Sequence, residues 1–498
     1  MYSNKENVNI LTALLVAHGI RHAVVCPGSR NAPIVHNLDV CPDITCYPVT
    51  DERSAGFYAL GLTQALGQPV VVCVTSGSAL LNLTPAIAEA YYQHRPVIVV
   101  SADRPPQWID QIDGQTLPQP DQAQRFVASA VSLPEPHDAE TRWYCNRLVN
   151  EALLERHAPV HINVPISEPL FQFTEPALPQ ERVITRVEAD IQPHVLSHVV
   201  RRFMQAQRPM LIAGQPLNAL MDEAVQAVAD NPDYVPDFVL YTGGSIVSKR
   251  LKHFLRKASE TWVVNREGQV TDTFMNLTQV IQGDPDVVAD QVRFMTEQQP
   301  HPFVQRWQQL LDELRRQTDA AQPASLMAAT VSYFEQQLSC QGEPAAVHYA
   351  NSTAIRLANT YARHPIYCNR GVNGIEGSLS TAAGFSLGTT LPVFCVIGDL
   401  SFFYDQNALW NQSLQGRLRI LLLNNGRGGI FDTLPGLDQS PARQRLVAAA
   451  HHTTAEGICR QCDVTYLTAH DVPSMQQGVA ALLAHTGSRP ILLEVFTD

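Results

Sequence analysis

Pro392-Val393-Phe394-Cys395-Val396-Ile397-Gly398-Asp399-Leu400-Ser401 reads as an apolar strand, a tight turn and the start of a helix, placed over Phe402 to Leu414. A second apolar strand, Arg419 to Leu423, runs into Asn424-Asn425-Gly426. Short apolar runs that alternate with helices predict a parallel sheet with helical crossovers. A carboxylate at the end of one strand and an amide oxygen at the end of the next can share a small hard cation. Mg²⁺ takes such ligands and keeps phosphate and water oxygens in its other positions. The helix opening after Asp399 is expected to turn free N–H groups towards that phosphate. A Gly-Asp turn after a buried strand is common in α/β sheets, so the asparagine pair carries most of the weight.

The same alternation runs back to the N-terminus. Strands are predicted at His22 to Cys26, Ile44 to Val49, Val70 to Thr75 and Val97 to Ala102, and helices at Asn31 to Leu38, Glu52 to Leu66 and Ser78 to Tyr92. Phe171 to Gln180, with scattered prolines, reads as a linker, and Asp319-Ala320-Ala321-Gln322-Pro323 as a second. Between them lie strands at Met210 to Ala213, Phe238 to Tyr241, Thr261 to Val264 and Val280 to Gln282, then a Gln-rich helix from Phe303 to Gln317. The pattern restarts at Ala346 to Tyr349 and closes with Pro490 to Phe496. The expected architecture is α/β, with three doubly wound parallel-sheet domains over 1–180, 181–325 and 326–498.

Composition excludes several classes. A chain of 498 residues is too long for one core, and 45% hydrophobic with 16% charged residues is ordinary for a globular protein. A net charge of −12 with no basic run argues against nucleic-acid binding. There is no Gly-Lys dipeptide, so no P-loop; Gly371, Gly374 and Gly377 are spaced GxxGxxG, not as a dinucleotide fingerprint; and no GxSxG occurs. The ten cysteines form no disulfide framework, and neither a signal core nor a membrane-length apolar run is present, so a reducing cytoplasm is expected. Cys459-Arg460-Gln461-Cys462, near His451 and His452, lacks the context of a zinc or redox site and reads as simple thiols. Only four lysines occur, so arginine supplies nearly all the positive charge, and arginine grips carboxylates with two hydrogen bonds.

Thr50-Asp51-Glu52-Arg53 lies where a strand gives way to a helix, at the edge where open α/β sheets bind ligands. By position alone Glu52 is a first-turn helix charge. Asp399 followed by Asn424-Asn425 resembles the diphosphate-anchoring signature of thiamine-diphosphate enzymes, in which a glutamate of another domain contacts the aminopyrimidine ring. Longer stretches resemble one family within that group, the 2-succinyl-5-enolpyruvyl-6-hydroxy-3-cyclohexene-1-carboxylate synthases of menaquinone biosynthesis. They are Cys26-Pro27-Gly28-Ser29-Arg30 with Pro33, Thr50 to Arg53, Thr75-Ser76-Gly77-Ser78-Ala79 and Ser101-Ala102-Asp103-Arg104-Pro105-Pro106. Asn351-Ser352 with Arg356, Asn369-Arg370-Gly371 through Gly374-Ile375 and Gly377, Leu379 to Gly384, and Gly398 to Phe402 complete the set. The middle of the chain matches only at Ser248-Lys249-Arg250.

The resemblance implies a carbon–carbon bond-forming transferase. It would decarboxylate 2-oxoglutarate with thiamine diphosphate and Mg²⁺ (or Mn²⁺) and add the remaining unit to isochorismate. It implies Glu52 as the activating glutamate. Ser76, Gly77, Ile375, Gly398, Asp399, Leu400, Ser401, Asn425 and Ile430 would line the cofactor. Asp399, Asn425 and the backbone carbonyl of Arg427 would hold the metal. Ser29, Arg30, Arg104, Gln115, Lys249 and Arg250 would hold isochorismate, and Ser352, Arg356 and Arg370 the carboxylate of the 2-oxoglutarate unit. Without that company, Arg356 is an ordinary helix-surface charge and Ile375 an ordinary core residue. A homo-oligomer, dimer or tetramer, with active sites between subunits is implied, with no nucleic-acid or membrane partner. The chain departs from the family in being shorter, the loss expected in the middle, and in carrying Gly426-Arg427 after the asparagine pair. Another thiamine enzyme, such as an acetohydroxyacid synthase or a 2-oxoacid decarboxylase, would show Gly-Asp-Gly where this chain has Gly398-Asp399-Leu400. A catalytically silent relative would not need Glu52, Asp399 and Asn425 together.

Overall fold

The structure, a computed structural model, describes residues 1–186, 191–213 and 220–497. Every strand pair within its three sheets is parallel, and helices connect them. The first sheet holds β1 (His22–Val25), β2 (Thr45–Pro48), β3 (Val70–Val74), β4 (Val97–Asp103), β5 (Ser129–Ser132) and β6 (Val160–Pro165), in the order β2-β1-β3-β4-β6-β5. All five residues of β3 are buried, so a run of valines makes this strand without polar alternation, as in a sheet covered on both faces. The chain passes from β1 outward to β2 and then to β3 on the other side of β1. That reversal opens a crevice at the carboxyl ends of β1 and β3, where such folds receive ligands.

The middle sheet, β7 (Pro209–Ile212), β8 (Phe238–Tyr241), β9 (Glu260–Asn265) and β10 (Leu277–Gln282), has the order β10-β9-β8-β7. Its two faces carry separate cores, one around Phe254, Phe274 and Trp307, the other around Phe203, Trp262 and Val292. The last sheet holds β11 (Ala346–Tyr349), β12 (Val393–Gly398), β13 (Leu418–Asn424), β14 (Thr465–Ala469) and β15 (Ile491–Phe496), in the order β11-β12-β13-β15-β14. The chain forms two compact units. One comprises Met1–Arg186, Gly342–Ala354 and Cys368–Asp498, and so carries the first and last sheets; the other comprises Val187–Gln341 and Ile355–Tyr367.

Within the first unit, the helix Glu52–Leu66 lies directly on the helix Ser378–Leu387. A methyl group on Gly61 would come within 2.0 Å of the Thr381 carbonyl oxygen, and one on Gly384 within 2.2 Å of the Tyr58 carbonyl oxygen. Only glycine permits backbones to approach so closely. This contact ties the segment beginning at Glu52 to the last sheet.

Two expected helices differ. Phe402 to Leu414 is instead a helix at Asp399–Tyr404 and a 3₁₀ turn at Gln406–Ala408. Asp405 interrupts it because its carboxylate turns inward, accepting the Ser380 N–H and hydroxyl at 2.7 Å each. It thereby caps the start of the helix Ser378–Leu387. Ser78 to Tyr92 is two helices, Ser78–Asn82 and Thr84–Tyr92, with Pro85 in the first turn of the second, where its missing N–H costs nothing.

Candidate active site

The register of β12 on β13 pairs Gly398 with Leu423, so Asp399 leaves its strand beside Asn424. The Asp399 carboxylate is buried. Oδ1 accepts the Leu400 N–H at 2.6 Å, and Oδ2 accepts the Arg427 N–H at 3.1 Å. His451 Nε2 stands 3.4 Å from Oδ2. Burial pushes the Asp399 carboxyl above the usual carboxylate range, with the N–H donors and His451 pulling the other way. The helix it opens is six residues long, and its Leu400 N–H points back to the Asp399 carboxylate.

Asn424 shapes the following loop. Its Oδ1 accepts the Gly426 N–H at 2.9 Å, while Nδ2 donates to the buried Glu494 at 2.7 Å and to the Thr453 carbonyl at 3.0 Å. Asn425 is left half-buried. The Arg427 carbonyl accepts the Gly429 N–H at 2.9 Å, which leaves a lone pair, and the Arg427 side chain turns to Asp432, 3.1 Å away. Ile430 lies in the 3₁₀ turn Gly429–Thr433. Among the described residues no lysine or arginine pairs with Asp399, and no group of three or more His, Cys, Asp or Glu could hold a metal. The Asp399 carboxylate, the Asn425 amide and the Arg427 carbonyl offer oxygens of the hard kind that Mg²⁺ accepts.

The first sheet presents its own edge residues. Ser29-Arg30 follows β1, Glu52 follows β2, Ser76-Gly77 follows β3 and Arg104 follows β4. Ser76 is buried, and among the described residues neither its Oγ nor the buried Oγ1 of Thr75 makes a hydrogen bond, which puts two unpaired polar groups at the reversal point. Gly77 has φ +84°, and a Cβ there would lie 3.2 Å from Gln115 Cα, which brings the Ser76-Gly77 turn against Gln115. Glu52 is the first residue of its helix, which Asp51 caps through the Ser54 N–H at 3.1 Å. Its Oε2 accepts from Asn82 Nδ2 at 3.4 Å.

Arg30 is buried, and its guanidinium donates to the Ile166 carbonyl at 2.9 Å and to Glu168 at 3.2 Å. Arg104 NH1 stands 3.7 Å from the same Glu168 oxygen and its Nε 3.5 Å from Asp113. The two arginines thus converge on one exposed carboxylate, Glu168. At the edge of the last sheet Arg370 donates to Asn351 Oδ1 at 2.9 Å, beside Ser352, which has φ +73°. Asn351 Nδ2 in turn donates to the carbonyls of Asn369 and Gly374 at 2.7 Å each. Ser401 Oγ donates to the carbonyl of Ile375, whose side chain is 40% exposed.

Residues 6–124 match the thiamine pyrophosphate enzyme family, N-terminal TPP binding domain. Over its full length the chain is 44% identical to the 2-succinyl-5-enolpyruvyl-6-hydroxy-3-cyclohexene-1-carboxylate synthase of Bacteroides fragilis, 97% of which is covered. It is 42% identical over its full length to the synthase of that name from Phocaeicola vulgatus, 96% covered. A third, from Christiangramia forsetii, is 32% identical, again with all of this chain and 96% of the relative aligned. The chain belongs to this synthase family. The alignment to the Bacteroides fragilis synthase runs over 547 positions, so that relative carries segments absent from these 498 residues.

The synthase-family positions fall on both units. In the second, Lys249 and Arg250 open the helix Lys249–Leu255, capped by Ser248 through the Leu251 N–H at 2.9 Å, and Arg250 donates to Gln226 at 2.8 Å. Arg356 is an exposed residue of the helix Thr353–Tyr361. Among the described residues no hydrogen bond or ion pair joins Glu52 to Asp399, Asn425 or Arg427. Three residues went unread in the sequence: His451 beside Asp399, Glu168 on the arginine pair, and Glu494 behind Asn424. His451 and Glu494 lie 52 and 70 residues from the groups they serve, and Glu168 138 from Arg30. No local spacing signals such partners. Cys459 and Cys462 are buried free thiols, and burial pushes Cys459 up to about 12.

Proposed function

We propose that this synthase-family protein decarboxylates 2-oxoglutarate and joins the remaining four-carbon unit to isochorismate, with thiamine diphosphate and Mg²⁺ (or Mn²⁺). The observation that carries the reading is the placement of Glu52, Ser76-Gly77, Asp399 and Asn425 at carboxyl strand edges in a chain that aligns end to end with named synthases. Bound thiamine diphosphate supplies the electron sink for decarboxylation and carbon–carbon bond formation. Glu52 hydrogen-bonds its aminopyrimidine ring and governs the proton there. Ser76 and Gly77 line the ring, and Ile375, Gly398, Leu400, Ser401 and Ile430 the rest of the cofactor. Asp399, Asn425 and the Arg427 carbonyl hold the metal that neutralises the diphosphate.

Both substrates are dicarboxylates, which is where arginine's paired donors matter. Arg30 and Arg104, with Ser29, Gln115, Lys249 and Arg250, take isochorismate; Ser352, Arg356 and Arg370 take the carboxylate of the 2-oxoglutarate unit. Glu168 already shows that Arg30 and Arg104 can share one carboxylate. The protein works as a homo-oligomer in which Glu52 of one copy serves the diphosphate site of another, as the family resemblance implies. No helix among the described residues is long and apolar enough to cross a membrane, and a cytoplasmic location fits ten free cysteines. The deciding assay follows isochorismate consumption. It should require 2-oxoglutarate, thiamine diphosphate and Mg²⁺ together, and turnover with any one omitted would refute the reading.

A further inference from the structure

Glu89 lies in the helix Thr84–Tyr92 and is 3% exposed. Its carboxylate is not spent within that helix alone. Oε1 accepts the Gly371 N–H at 2.6 Å, and Oε2 accepts the Val372 N–H at 2.7 Å, across more than 280 residues of chain. Gln93, one turn on, donates to Oε1 at 2.6 Å. Bonds from two successive backbone N–H groups to one carboxylate are charge-assisted and fix direction as well as distance. The approach depends on glycine. A Cβ at residue 371 would lie 2.7 Å from the Glu89 carbonyl oxygen and 3.0 Å from both Oε1 and Tyr92 Cβ.

Arg370 is the residue just before this grip. Its guanidinium rests on Asn351 at 2.9 Å, and Asn351 holds the carbonyls of Asn369 and Gly374. Glu89 therefore seizes the loop by its donors while Asn351 seizes it by its acceptors, with the arginine between them. A helix that needed only packing at this point would be better served by an apolar side chain, since a buried carboxylate is costly unless its bonds are complete. We propose that Glu89 is a positioning residue for 2-oxoglutarate: it sets the backbone at Gly371-Val372 so that Arg370 stands ready for a substrate carboxylate. This rests on the role given to Arg370 above.

Steady-state kinetics of the cofactor-loaded enzyme, with each substrate varied in turn, tests it. Glu89→Ala should raise KM for 2-oxoglutarate by about tenfold or more, while KM for isochorismate and thiamine-diphosphate affinity stay within about threefold. Glu89→Gln keeps one acceptor oxygen and should fall between. Hydrogen exchange of peptides covering 369–377 should quicken in the same order, and adding Glu89→Ala to Arg370→Ala should raise KM no further. Wild-type KM for 2-oxoglutarate in Arg370→Ala would refute the role of Arg370 itself. A raised KM in Arg370→Ala with an unchanged one in Glu89→Ala would overturn the positioning role alone. Equal losses for both substrates and cofactor would also overturn it, leaving Glu89 as a purely structural acid. If the Glu89 variants do not fold, Gly371→Ala pushes the loop off an intact Glu89, and a wild-type KM there would be just as fatal.

Discussion

Glu52 holds its position by backbone and by Asp51, not by its own carboxylate, so its chemistry can be removed without its fold. Asp51 caps the helix, and among the described residues the weak 3.4 Å contact to Asn82 is the side chain's one hydrogen bond. Glu52→Gln keeps size and hydrogen-bonding reach but loses the carboxylate. Turnover at saturating cofactor should fall by roughly 10²–10⁴, with the thermal midpoint nearly unchanged. Near wild-type turnover would remove Glu52 from the mechanism. Asp399 is the opposite case, a buried carboxylate with His451 Nε2 3.4 Å away and, among the described residues, no lysine or arginine paired with it. Asp399→Ala should weaken thiamine-diphosphate binding in the presence of Mg²⁺ by about tenfold or more, and Asn425→Ala by less, since a neutral amide is the weaker ligand. Calorimetry that finds undiminished binding in Asp399→Ala would end its anchoring role.

The helix Ser378–Leu387 shows what an element takes from outside itself. Its N-terminal Gly377 supplies no side chain, and the cap comes instead from Asp405, fully buried and accepting both Ser380 donors. Burial raises the Asp405 carboxyl to about 6. The folded chain thus holds this proton more tightly than the unfolded one. The contribution is fully present below about pH 4 and is lost as pH rises through 6, a difference of about 3 kcal/mol. Asp405→Asn can meet the same two groups without a charge. Its stability relative to the parent should therefore increase between pH 4 and 6 and level off above, as read from thermal midpoints across that range. A difference that does not change with pH would show that Asp405 stays ionised. The cap was illegible in the sequence, where Phe402 to Leu414 looks like one helix. Nothing local marks Asp405 as facing a helix that starts 27 residues earlier. By contrast Glu52–Leu66, Phe238–Tyr241 and Ala346–Tyr349 were readable to the residue, because the Asp51 cap, the αL Gly67 and short apolar runs mark their ends.

At the scale of the whole molecule, parallel sheets and edge residues were legible, since strand ends and motifs coincide in the chain. The partnerships Arg30–Glu168, Asp399–His451 and Glu89–Gly371 were not, because each joins segments that meet only after folding. The placement of Glu52 relative to Asp399 is a question of that kind, and the homo-oligomer proposed above turns on it. With each active site drawing Glu52 from one copy and Asp399 from another, Glu52→Gln and Asp399→Ala are complementary defects. A symmetric pair of copies has two such sites, so a mixed pair contains one site with both substitutions and one with neither. With thiamine diphosphate held at a level that fills parental sites but not those of Asp399→Ala, each variant alone should show only a small residual activity. Equal amounts, dissociated and reassociated together, should recover about a quarter of parental activity, since about half the pairs are mixed and each has one intact site. If Glu52 and Asp399 of the same chain formed the site, every site in every mixture would carry a defect, and mixing would restore nothing.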